Sequence, residues 1–240
     1  MTKSKAVWPV LLKRELQAFY QSPVAWIVTG LFLVFSGFLF FPTFFLINRA
    51  ELRNFFSLLP VLFSFFIPAL TMRLLAEETR SGSIETLLTL PVSGRDIVAS
   101  KFVAVFIFIV GILVPTLVYV FSISLIGKPE MGPIIGGYIG ALFLSASFSA
   151  IGLYASSVTK NQIIAFFIAF SIAIILTLSS QFAIFLPAIL VGPVEFFGVT
   201  SHFESISRGI LDSRDLVYFL SLTVFFLALT ARNLDDRRKS

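Results

Sequence analysis

The chain has 240 residues, of which 57% are hydrophobic and only 13% charged, with a formal net charge of +5. Those proportions exclude a soluble domain of this size and place the core in lipid, so the surplus of Lys and Arg reads as a topology signal rather than a nucleic-acid footprint. No cysteine is present and His202 is the single histidine, which excludes disulfides, thiolate metal sites, a Cys nucleophile and a multi-histidine metal centre.

In chain order, residues 5–20 read as an amphipathic helix lying along the membrane interface. Trp8, Leu11, Leu12, Leu16 and Phe19 share one face, with Lys13, Arg14 and Gln17 opposite. Glu15 falls near the apolar side, where a carboxylate needs a partner. Ser22-Pro23 then breaks the helix and turns the chain into the bilayer. The first apolar run is too long for a signal peptide and has no small-residue cleavage site, so it is expected to be retained.

Six spans are expected: Val24–Ile47, Asn54–Met72, Phe102–Gly127, Met131–Thr159, Asn161–Val194 and Leu216–Ala231. The fifth runs 34 residues without a charge. A straight helix of that length would be roughly 51 Å long, against a hydrocarbon core of about 30 Å. Pro187, Gly192 and Pro193 sit where it should emerge, so the chain is expected to cross once and fold back. The fold class is therefore an all-α polytopic membrane protein with six transmembrane helices, an N-terminal interfacial helix, and an outer re-entrant region over 186–215 before the last helix. Thirteen of the eighteen Lys and Arg residues fall on the side of the two termini, which places both termini in the cytoplasm. No charge is expected inside any span.

The sizeable cytoplasmic loop is Arg73–Lys101. Glu77 and Glu78 are expected to end the second helix, and Gly82 to break it. A two-turn helix follows, with Glu85 at its third position, Ile84, Leu87 and Leu88 on one apolar face, and Pro91 as its stop. Ser93-x-x-Asp96 is a capping box that opens the third span. A helix this short is marginal alone in water. Its apolar face must be buried on the membrane, on the bundle, or in a groove of another protein.

In the fourth span, Gly132, Gly136 and Gly140 lie beside Gly137, Ala141, Ser145 and Ser149, a spacing that lets helices approach closely within the chain or at a dimer seam. Ser179, Ser180 and Gln181, near the outer end of the fifth span, are either helix–helix hydrogen-bonding groups or the edge of an external gate. Beyond them, the charges of the 186–215 region are expected to pair with one another. Phe203, Ile206, Ile210 and Leu211 would hold short helices against the bundle. His202 and Glu204, two residues apart, make a poor metal pair, and no metal site is expected.

The pattern E-E-x-x-x-G-x-x-E-x-L-L-x-x-P-V over residues 77–92 resembles the cytoplasmic loop of ABC-2 type ABC-transporter permeases. KRELQAFYQSPVAWIV near the N-terminus and HFESISRGILDSRDLVYF over 202–219 resemble the gliding-motility and nitrous-oxide-accessory branch. The likeness covers essentially the whole chain as one transmembrane domain, 1–240. It implies that Glu77, Glu78, Gly82, Glu85, Leu87, Leu88 and Pro91 form a coupling segment that docks on a separate cytoplasmic ABC ATPase. Lys160 would lie at a second, shorter contact. It also implies work in pairs, as a homodimer or with a related second permease, in a bacterial inner membrane, with export the commoner direction.

The chain itself has no G-x-x-x-x-G-K-[ST], so ATP and Mg are expected on the partner and no cofactor on this chain. Two other readings remain. One is a membrane anchor or mechanotransmission subunit through which nothing crosses. The other is an intramembrane hydrolase using Ser157-x-x-Lys160, a spacing that recurs by chance and lacks any G-x-S-x-G context. With no charge in the spans, a lipidic or polymeric cargo is compatible.

Overall fold

The computed structural model describes residues 4–47, 51–89, 93–182, 185 and 187–238. Among them the regular structure is helical throughout, and six helical stretches are long and apolar enough to cross a membrane. The protein is an all-α polytopic membrane protein.

Two residues, Gln21 and Ser22, separate helix α1 (Ser4–Tyr20) from Pro23, the first residue of α2 (Pro23–Ile47). Ser22 Oγ accepts from Ala25 N at 3.3 Å, so a serine cap and a proline in the first turn define the corner. The second expected span, Asn54–Met72, is matched within a residue at each end, but Glu77 and Glu78 do not end that helix. Helix α3 (Arg53–Thr71) stops at Thr71, and Glu77 and Glu78 belong to a separate short helix, α4 (Ala76–Ser81). Next come α5 (Ser83–Thr89) and α6 (Gly94–Leu113), the latter opened by Ser93 and Asp96 in a reciprocal capping box.

The third span is not one helix. Pro115 lies in a 3-10 turn (Val114–Thr116) that joins α6 to α7 (Leu117–Ile126). Proline has no N–H for the ladder, and Thr116 Oγ donates to Leu113 O at 2.6 Å and meets Tyr138 Oη at 3.0 Å, tying the irregular turn to the next helix.

Helix α8 (Met131–Val158) is the axis of the bundle, touching α3, α6, α9 (Gln162–Phe182), α11 (Val199–Ser207) and α12 (Ser213–Arg237). At 28 residues it is about 42 Å long, enough to cross the bilayer and project beyond it. Its small residues set how close the neighbours come. A Cβ on Gly136 would strike Ile206 O, one on Gly137 would strike the Phe56 ring, and one on Gly140 would lie 3.1 Å from the Phe203 ring. Ala141 and Ser145 are fully buried, but Ser145 Oγ bonds its own helix at Leu142 O. Gly132 stands apart, with open space where its Cβ would be. Leu144, Phe148 and Ile151, further along the same helix, are also fully buried.

After α9 ends at Phe182, α10 (Ala188–Phe197) and α11 precede α12. Pro187 caps α10, whereas Gly192 and Pro193 lie inside it. Phe203 and Ile206 are fully buried against the bundle. Ile210 and Leu211 are exposed beyond the end of α11, which corrects the expectation that all four make one apolar face. Glu204 and Arg208 pair one turn apart at 3.2 Å.

The seam makes a direct test available. Gly137→Ala pushes a methyl into the buried Phe56 ring and is expected to destabilise the detergent-solubilised protein by about 1–3 kcal/mol. Gly132→Ala, with nothing to meet, should be neutral or slightly stabilising. Thermal unfolding of the two variants compares them.

Candidate transmission interface

The short helices α4 and α5 sit where four longer helices end. The break between α3 and α4 leaves backbone groups that a continuous helix would satisfy internally. Ser156, on α8, takes up three of them. Its Oγ accepts from Leu75 N at 3.0 Å and Ala76 N at 2.9 Å, and donates to Met72 O at 2.9 Å. Beside it, Gly152 leaves room for Thr71, whose hydroxyl bonds Ile67 O. A serine of the central helix therefore caps α4 from outside.

Glu78 fixes the other face of α4. Lys101 Nζ donates to Glu78 Oε1 at 2.8 Å and to Glu15 Oε2 at 2.9 Å, with only 2% of the lysine side chain exposed. Arg14 donates to Glu15 Oε1 at 2.6 Å and approaches Glu78 at 3.6 Å. One buried ammonium thus joins α1, α4 and α6. Burial alone would raise the Glu15 carboxyl, but Lys101 and Arg14 hold it below its ordinary 4.5.

A third tie comes from the end of α12. Arg237 donates to Thr79 Oγ at 3.1 Å and to Ser157 O at 2.7 Å, and Asn233 Nδ2 donates to Ser157 O and Oγ, both at 3.0 Å.

Gly82 then reverses the chain. Its φ of +75° is a left-handed conformation that glycine adopts freely, so it closes α4 while its carbonyl accepts from Glu85 N and starts α5. Ile84 and Leu87 are buried. These two side chains are therefore covered by the protein's own bundle, and Leu87 is not free to enter a partner's groove. Glu77, Arg80 and Glu85 remain exposed, giving the element a charged outer face. Pro91 and the Leu88 side chain lie outside the described residues. Lys160 is exposed in the turn between α8 and α9, three residues beyond Ser157, and so at the same end of the bundle.

Two expectations need correction. Lys101 is not a loop residue before the third span but lies two turns inside α6, and Asp215, in the first turn of α12, is also buried; charges do occur within the candidate spans. Lys101 is four residues after buried Ile97 and four before buried Val105, on the buried stripe of its helix. That register, together with Glu15 on the apolar side of α1, was the signal that pairs them. The Ser157–Lys160 dyad is also absent, because Ser157 Oγ donates to Tyr154 O and accepts from Asn233 while Lys160 faces outward.

At the opposite end, Ser179 Oγ bonds Leu176 O within its own helix, Gln181 is exposed, and Ser180 Oγ is buried against Gly198 without a hydrogen-bond partner. Thr200 Oγ donates to Thr177 O, fastening α11 to α9. These contacts are packing. His202 Nδ1 lies 2.6 Å from Asp215 Oδ1, and among the described residues no group of three metal-ligating side chains occurs.

Lys101→Met strands two carboxylates that the structure pairs and is expected to cost about 3–5 kcal/mol in detergent unfolding. Adding Glu15→Leu should recover part of that loss. The pH dependence has a definite sign. Glu15 has a depressed folded value, so its stabilisation is complete above 4.5 and is lost as pH falls from there through that depressed value. Glu15→Gln should lower the unfolding midpoint at neutral pH and flatten this acid limb.

Comparison with known proteins agrees with this architecture. The family model described as ABC-2 family transporter protein matches residues 24–234, from the start of α2 almost to the end of α12. No match was found among curated proteins. With a match over that much of its length, the chain belongs to the ABC-2 transporter family and is a permease, the membrane-spanning part of an ABC transporter.

Proposed function

We propose that the protein is an exporter permease driven by a separate cytoplasmic ABC ATPase, which binds the charged outer face of α4–α5 and holds the ATP and Mg. The observation that carries this reading is the convergence of α1, α6, α8 and α12 on one small two-helix element through Lys101, Ser156 and Arg237. A push on an isolated loop dissipates in loop motion. A push on α4–α5 is delivered to four long helices through short, partly buried polar bonds.

The bias of Lys and Arg supports placing this end, and both termini, in the cytoplasm of a bacterial inner membrane. The α2 and α9 spans are only 28% and 22% buried, which supports assembly with a second permease, either a copy of this chain or a relative. Lys160 is placed to add a minor contact to the ATPase. The motifs over 13–28 and 202–219 favour the gliding-motility and nitrous-oxide-accessory branch.

The test uses the permease isolated from its native membrane. A subunit with a Walker A motif should co-purify and hydrolyse ATP. The double variant Glu77→Lys/Glu85→Lys changes only exposed charges and should keep the wild-type unfolding midpoint. It should also reduce recovered ATPase activity about tenfold, as expected when like charges are brought together at an interface rim. Unchanged recovery with the double variant would overturn the assignment of α4–α5 as the docking element. If ATP turnover is coupled but no cargo is moved, the mechanotransmission reading replaces export.

A further inference from the structure

An open groove lies at the end away from the Lys101 cluster, between α9 and α12 and beneath the end of α10. Its volume is about 750 Å³, within the range of small-molecule sites. Ile172 and Leu176 of α9, Phe196 and Phe197 of α10, and Tyr218 and Phe225 of α12 form its walls. Phe196, Phe197 and Phe225 are 63%, 62% and 57% exposed, so the protein itself leaves these rings uncovered.

The walls are fixed in place. Tyr218 stacks on the His202 ring at 4.1 Å, and its hydroxyl donates to Phe197 O at 2.7 Å. His202 Nε2 lies 2.9 Å from Phe196 O. The C-terminal end of α10 is thereby held to α11 and α12, and the groove is preformed.

One charge lines the groove. Arg214 is the second residue of α12 and precedes its apolar stretch, at the level where a span meets the headgroups. It is exposed and makes no ion pair among the described residues. Asp212 caps the helix through Arg214 N, Asp215 is engaged with His202, Glu204 pairs with Arg208, and Glu195 does not pair with Arg214. A rigid aromatic slot open to the hydrocarbon, with an unpaired guanidinium at its interfacial mouth, is complementary to an amphiphile with a negative head.

We propose that this groove is a binding site for a membrane phospholipid with an anionic headgroup. The phosphate sits on Arg214 and one acyl chain lies along α9 and α12. The site depends only on residence in a membrane and is independent of what the permease moves.

The experiment is intact-protein mass spectrometry after exchange into bilayer discs of equal parts phosphatidylglycerol and phosphatidylcholine. Wild type should retain phosphatidylglycerol about fivefold over phosphatidylcholine, the ratio expected of a single interfacial arginine. Arg214→Gln should bring the ratio to about one. Leu176→Trp, which fills the slot, should reduce retention of both lipids. Equal retention of the two lipids by wild type would overturn the proposal. So would a ratio unchanged in Arg214→Gln. Because the chain has no cysteine, Ser221→Cys provides a single thiol in the groove. Efficient disulfide formation between copies would show a second protomer filling the slot and would also overturn it.

Discussion

The ammonium of Lys101 is the constraint on which the α4–α5 end of this bundle depends. A buried lysine is tolerated only where opposite charge and hydrogen bonds compensate its lost hydration. Glu15 and Glu78 provide both, from two elements far apart in sequence. The interfacial helix α1 is consequently part of the bundle, with Leu11, Glu15 and Phe19 buried and Phe19 stacked on Phe108 of α6. Moving α1, α4 or α6 independently would separate charges in a medium that screens them poorly.

Around that point the structure divides its bonds unequally. Packing along α8 is close and largely apolar, set by missing side chains at Gly136, Gly137, Gly140 and Gly152. Polar bonds form a group at each end, and Ser147, midway along α8, bonds Phe219 O and Thr223 of α12. One group ties α4 to α6, α8 and α12; the other ties α10 and α11 to α9 and α12 through Thr200, His202 and Tyr218.

Much of this was legible in the chain because hydropathy and punctuation are local signals. Six spans, the corner at Ser22-Pro23, the capping box at Ser93 and Asp96, and the short helix after Gly82 all follow from residues near each other in sequence. What stayed hidden depends on distant partners. The helix ends at Thr71 because Ser156, 85 positions later, satisfies the freed backbone. Lys101 read as a topology charge because a lysine beside an apolar run resembles a snorkelling anchor; only Glu15 and Glu78 make it interior. Leu87 offered itself as a docking residue until the bundle was seen to cover it.

The three bonds of Ser156 carry one more implication. Straightening the bend between α3 and α4 would strip the fully buried Ser156 hydroxyl of all three of its partners, so the bend is an elbow of set angle rather than a hinge. A rigid elbow seated on the central helix cannot swing by itself. Torque applied at α5 must roll α8 about its long axis, and with it every span that leans on that axis.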